Sequence, residues 1–236
     1  MALGIRELIR LSLSRSTGKW LFLGGGVGII CGLVGFAFHL AVETVAHFVL
    51  NGLAGCHPVA PPGEVPVFAH SEGSLNPVLL IVVLVLGGLV SGLICLRSPD
   101  ARGGGTGAAV RAFHHHQGRI TLGASLAKFF ASAATLGTGG SAGREGPISL
   151  IGAGFGSWFA DRLGLAVRDR RILLAAGIAG GVAALFRAPL AGALYAAEVL
   201  YSDSELEAEV LIPAFIAAII AFCTFGFAEA AFLHQD

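Results

Sequence analysis

The chain has 236 residues, 55% of them apolar and only 13% charged, with 35 glycines and 15 basic residues balanced by 15 acidic ones. The low charge and a mean hydropathy of +0.79 exclude a disordered chain, and a zero net charge gives no basic surplus for nucleic acid. Four cysteines in this length do not make a disulfide-stapled secreted domain, so composition points to an all-α, polytopic membrane protein.

Residues 1–19 carry Arg6, Arg10, Arg15 and Lys19, and within 5–15 the apolar residues recur at helical spacing. This predicts an amphipathic helix on the cytoplasmic face of the membrane. Residues 20–236 are expected to form the membrane domain. The first span, 20–50, has only His39, Glu43 and His47 as ionisable interruptions; its apolar run is far longer than that of a cleavable signal. The following 51–76 segment has no Lys or Arg and holds Pro58, Pro61, Pro62 and Pro66, so it is expected outside. Residues 77–96 carry no charge and return the chain to Arg97, Arg102, Arg111 and Arg119 inside. Shorter apolar stretches follow at 120–138, 147–160, 172–186 and 189–201. Short or glycine-rich segments in a membrane protein indicate re-entrant or discontinuous helices. Arg162, Arg168, Arg170 and Arg171 mark another inside loop, as does the acidic stretch from Asp203 to Glu209. The last span, 210–233, then ends outside, and the number of crossings is odd. The expected location is a cell (plasma or inner) membrane, multi-pass, with a cytoplasmic N-terminus.

Two segments concentrate glycine ahead of an apolar helix: Gly103, Gly104, Gly105, Thr106 and Gly107, and then GTGGSAGREGP at 137–147. Pro147 suits a first helical turn, where its missing N–H costs nothing. Residues 143–146 are therefore expected to present free amides at a helix N-terminus, which carries a partial positive charge and accepts an anion without a full cation. Glu145 lies in that loop. Ionised, it can occupy the amide cradle; protonated, it can swing away. The alternative is a static Arg144–Glu145 pair that fixes the loop.

Other motifs lead elsewhere. Gly103-x-Gly105-x-x-Ala108 resembles a dinucleotide fingerprint without the strand it requires. Arg144-Glu145 stands where a P-loop needs Lys-Ser/Thr. Gly139-Gly140-Ser141-Ala142-Gly143 matches a nucleophile elbow, so an intramembrane serine hydrolase with Ser141 and His39 or His47 as base is the enzymatic alternative. His114, His115 and His116 are read as a solvated cytoplasmic stretch, since adjacent helical histidines point apart. No metal or other cofactor is expected.

At GSAGREGP (140–147) and FRAPLAGALYAAEVLY (186–201) the chain resembles the CLC family of chloride channels and chloride/proton antiporters. The resemblance implies half of an inverted-repeat transporter fold, transport of chloride rather than an enzymatic activity, and no cofactor. Glu145 matches the family's external gating glutamate, and Arg144, Glu145 and Gly146 match the loop that lines the outer anion sites. Gly103 to Gly107 match the earlier filter loop, with Gly104 at the usual Ser and Gly107 at the usual Pro. Ligation from that side then falls to amides, to Thr106 or to water. Glu198 matches the first residue of the inner proton-carrying Glu pair and Val199 the second, which favours passive or weakly proton-coupled transport. The chain ends after what resembles the first half of the family. A homodimer, or pairing with a second-half chain, is the implied assembly; a non-conducting half-unit is the alternative.

Overall fold

A computed structural model describes residues 16–56, 67–68, 75–201 and 208–233, and among these the fold is all-α with no strand. Eight α-helices occur in the described residues. They are α1 (Ser16–Val45), α2 (Pro77–Arg97), α3 (Thr106–His115), α4 (Leu122–Gly137), α5 (Glu145–Arg162), α6 (Val167–Phe186), α7 (Pro189–Leu200) and α8 (Ala208–Leu233). The expected amphipathic helix at 5–15 lies outside the described residues. α1 starts at Ser16, ahead of the anticipated boundary at residue 20, and places Lys19 in its first turns, 2.6 Å from Asp169. At its other end it passes into a π-helical turn, Ala46–Asn51.

Local chemistry explains the boundaries. Asn76 caps α2, its Oδ1 accepting from the Val78 and Leu79 amides at 3.2 Å, with Pro77 as the first helical residue. Thr121 caps α4 through the Ala124 amide. Pro189 opens α7. Arg187 ends α6 in the left-handed region, φ +53°, held by ion pairing to Glu229.

Among the described residues, three helical segments are long and apolar enough to cross a membrane by themselves: Gly18–Asn51, Pro77–Arg97 and Glu209–Phe232. α2 is the most exposed of them and packs chiefly on α4. α6 is the opposite case. Every residue from Ile172 to Leu185 is buried, and α1, α5, α7 and α8 all pack around it. Alanine and glycine dominate its sequence, so neighbouring backbones come close, as in packed membrane helices generally. A Cβ on Gly152 of α5 would overlap the Gly177 carbonyl of α6, and one on Gly177 would overlap that of Gly152. Gly28 and Gly32 also bring α1 close to the Ala217 and Ala221 carbonyls of α8, though less tightly.

Ion pairs gather at two levels. The first holds Lys19–Asp169, Arg170–Asp161 at 2.7 Å and Arg168–Glu209; the second holds Arg144–Glu43 at 3.6 Å and Arg187–Glu229. The 20 residues of α6 separate the two levels by about 30 Å at 1.5 Å per residue, the thickness of a hydrocarbon core. α3, with 10 residues, covers only about half of that. Its C-terminal end is tied to the first level by His114, whose Nε2 lies 2.8 Å from the Leu200 carbonyl, and by Arg171, which donates to the His114 carbonyl. The triplet of histidines is exposed, as expected, but His114 also bridges α3 to α7. The start of α3 is thereby set inside the membrane thickness, which makes it a broken helix of the anticipated kind.

Candidate functional site

The two glycine segments meet. Gly105 caps α3 with φ +109°, and a Cβ there would overlap the Gly146 carbonyl; a Cβ on Gly146 would overlap the Gly104 carbonyl. Contact this close, with a positive φ on one side, admits only glycine. Loops 41 residues apart in sequence thus bring the starts of α3 and α5 together.

At α5 the ladder begins with the Ile148 amide donating to the Arg144 carbonyl at 3.1 Å. The helix starts at Glu145, with Pro147 as its third residue. Ahead of that first bond, the amides of Gly143, Glu145 and Gly146 have no backbone acceptor among the described residues. At α3 the Ala108 and Ala109 amides both turn back to the Gly105 carbonyl, which leaves those of Thr106 and Gly107 ahead of the ladder. Two helix ends with unspent donors therefore converge, and their dipoles add at the point of contact.

A cavity of about 400 Å³ opens at this junction, lined among others by Gly103, Gly104, Gly143, Glu145 and Gly146. Gly105, Thr106 and Arg144 lie outside its lining. Glu145 is exposed, and its Oε2 lies where a Cβ on Gly143 would go, so the carboxylate folds back over its own loop. Arg144 pairs with Glu43 of α1 at 3.6 Å. A larger apolar cleft of 940 Å³ lies between α1, α2 and α4, but no charged group lines it, and it has nothing to hold an ion.

Lys128 escaped the reading of the sequence. It is 6% exposed and lines the same cavity. Its ammonium donates to the Gly103 carbonyl at 2.6 Å and to the Ala101 carbonyl at 3.4 Å. The available signal was a single basic residue inside the apolar run 122–137, since a charge at membrane depth marks function by default. Here the cation ties the first glycine loop to α4 and adds positive potential to the junction. Replacing it by methionine should lower stability by about 1.5–3 kcal/mol, the range for hydrogen bonds to charged groups. Thermal unfolding of the detergent-solubilised protein reads this, and an unchanged midpoint would show that the loop stands without the tie.

Ser141 is exposed on the loop after α4. No strand precedes it, as a nucleophile elbow requires. Among the described residues no cluster of three His, Cys, Asp or Glu side chains forms a metal site. Glu198 is exposed on α7 and does not line the cavity. Three residues before it, the Tyr195 hydroxyl reaches Thr106 and Ser149 instead.

A family model described as voltage gated chloride channel matches residues 87–234, which include both glycine loops and α3 to α8. The chain belongs to the voltage-gated chloride channel family. One similar relative is the voltage-gated ClC-type chloride channel ClcB of Yersinia pseudotuberculosis serotype O:1b (strain IP 31758), 35% identical over 172 residues that cover 67% of this chain and 40% of the relative. The ClcB of Escherichia coli O139:H28 (strain E24377A / ETEC) is 29% identical over 204 residues, covering 85% of this chain and 45% of that protein. The fold matches the crystal structure of a slow cyanobacterial Cl-/H+ antiporter with a TM-score of 0.65 at 23% identity, over 88% of this chain and 46% of the other. The chain thus spans less than half the length of each of these proteins, and its all-α fold is that of the antiporter structure.

Proposed function

We propose that the chain carries chloride across a cell membrane through the junction of its two glycine loops, with Glu145 as the gate. The observation that carries this reading is the convergence of two broken-helix N-termini, backbone against backbone, on a cavity that also receives the Glu145 carboxylate and the Lys128 ammonium. Amides and helix dipoles attract an anion weakly enough to let it leave. The Gly103, Gly104, Gly105 and Thr106 segment supplies one side of the path, and Gly143, Arg144, Glu145 and Gly146 the other. With its carboxylate ionised, Glu145 competes with the anion for the free amides. Protonation removes that competition, so flux rises as pH falls.

Transport is channel-like or weakly proton-coupled. Glu198 is the one candidate for an inner proton carrier, because Val199 beside it cannot hold a proton. The positive charge of the N-terminal segment orients that end to the cytoplasm, and the path needs no cofactor. The coverage of relatives, 40% and 45%, favours a second reading alongside the first: this polypeptide forms one side of the path and works with a second copy or with a chain resembling the relatives' other half.

The test is chloride efflux from liposomes that contain the purified protein, alone and with such a second-half chain. Efflux above that of protein-free liposomes in either preparation supports the proposal. Its absence from both overturns it. A chloride gradient that drives proton uptake would show tight coupling and refute the role given to Val199.

A further inference from the structure

A cavity of about 640 Å³ lies between α3, α6 and the end of α7. Its wall is built by Phe113 and His114 of α3, by Val167, Arg168 and Arg171 of α6, and by Tyr201, which follows α7. Among the described residues no carboxylate lines it. Arg168 also belongs to the first level of ion pairs, so the cavity sits at one edge of the hydrocarbon core, where lipid phosphates lie.

Three arginines stand within the first five residues of α6. Arg170 pairs with Asp161 at 2.7 Å, and Arg168 pairs with Glu209. Arg171 has no carboxylate partner among the described residues. One of its terminal nitrogens donates to the His114 carbonyl at 3.4 Å, its Nε is buried without an acceptor, and its guanidinium lies 5.8 Å from the centre of the Phe113 ring. Most of its five donors are therefore unspent. The Arg168–Glu209 pair is open to solvent on both sides, 69% and 53% exposed, and such a pair yields readily to a better acceptor. The amides of Val167, Arg168 and Asp169 precede the first ladder bond of α6, from Arg170 to the Ala166 carbonyl, and add the positive end of the helix dipole. Beside these cations the wall turns apolar, with Phe113 and Tyr201 edge to face at 5.5 Å.

We infer that this cavity binds the headgroup of an anionic phospholipid, with Arg171 and Arg168 on the phosphate and the aromatic wall against the glycerol and first acyl carbons. Guanidinium forks match phosphate oxygens two at a time, and basic pockets between membrane helices hold such headgroups. A zwitterionic headgroup would bring an ammonium that finds no carboxylate in the wall. The lipid ties α3 to α6 at the end of α3 away from the glycine loops, so the site stands independently of the proposed anion path.

The experiment titrates the full chain in detergent with phosphatidylglycerol, phosphatidylcholine or inorganic phosphate, and reads bound lipid by native mass spectrometry and stability by thermal unfolding. Phosphatidylglycerol should be retained and raise the unfolding midpoint, whereas the other two at equal concentration should not. Arg171→Gln and Arg168→Gln should each weaken phosphatidylglycerol binding by about tenfold, the loss of one charge-assisted hydrogen bond. Arg162→Gln removes an exposed charge outside the cavity and should bind as the wild type does. An equal loss in Arg162→Gln would assign the attraction to the charged surface as a whole. Equal retention of phosphatidylcholine would show indifference to headgroup charge, and an equal midpoint shift with inorganic phosphate would show an ion site without a lipid. Each of these three results overturns the inference. Should Arg171→Gln fail to fold, Arg168→Gln decides, and unchanged binding there overturns the inference as well.

Discussion

Valine at Gly152 should cost about 3 kcal/mol or more of stability, at or beyond the upper end of the usual penalty for overpacking. The reason is the obstacle. The new Cβ would overlap the Gly177 carbonyl, and α6 has no room to retreat because α1, α7 and α8 cover its other sides. Gly177→Val meets the Gly152 carbonyl from the opposite direction and should do the same. Their effects should not add, since either one alone forces the two helices apart. The control is Gly88→Ala or Gly92→Ala in α2. Nothing lies within 4 Å of a Cβ at either position, so alanine should stabilise the helix by about 0.5–1 kcal/mol. Thermal unfolding and size-exclusion profiles in detergent separate the two classes. A Gly152→Val protein as stable as the wild type would mean that α5 and α6 do not cross at these glycines.

Glutamine at Glu145 should raise chloride flux at neutral pH by about ten- to a hundredfold. That is the factor expected when a competing charge-assisted hydrogen bond of about 1.5–3 kcal/mol is withdrawn from the amide cradle. The variant should also lose its response to pH. In the wild type, flux increases toward acid as the carboxylate is neutralised; in the variant the curve is flat. Proteoliposome efflux measured across a range of pH values checks both effects. Glu145→Ala tests whether bulk or charge closes the path: equal flux in the two variants assigns closure to charge. A wild-type flux that is already independent of pH would remove Glu145 from the gate.

Much of the architecture can be read from hydropathy because the solvent is lipid. The spans expected at 20–50, 77–96 and 210–233 correspond to α1 with its π-helical turn, α2 and α8, displaced by a few residues at their ends. Their length and apolarity are local properties. The short segments are also local: glycine and proline break them, and α4 to α7 fall where the stretches 120–138, 147–160, 172–186 and 189–201 were anticipated. The glycine loops were legible as helix starts, since Gly-rich turns before apolar runs have that meaning at any position.

Partnerships across the chain were not legible. Nothing near Gly105 announces that its neighbour is Gly146. The pairing of Arg144, just ahead of α5, with Glu43 of α1 joins residues far apart in sequence, which no local pattern announces. The contacts of the Tyr195 hydroxyl with Thr106 and Ser149 draw one residue each from α7, α3 and α5. Lys128 had a signal, but its ligands are backbone carbonyls, which no side-chain motif encodes.

The burial of α6 bears on how the protein is made. Its small residues and the charged turn at its start leave it too weakly apolar to be held by lipid alone, and it is not among the three self-sufficient spans. Its surroundings include α8, which leaves the ribosome only after α6 has emerged. The segment therefore has no lasting berth during synthesis, and the finished bundle must close around it late, with α1 waiting in the bilayer for a partner translated about 190 residues downstream.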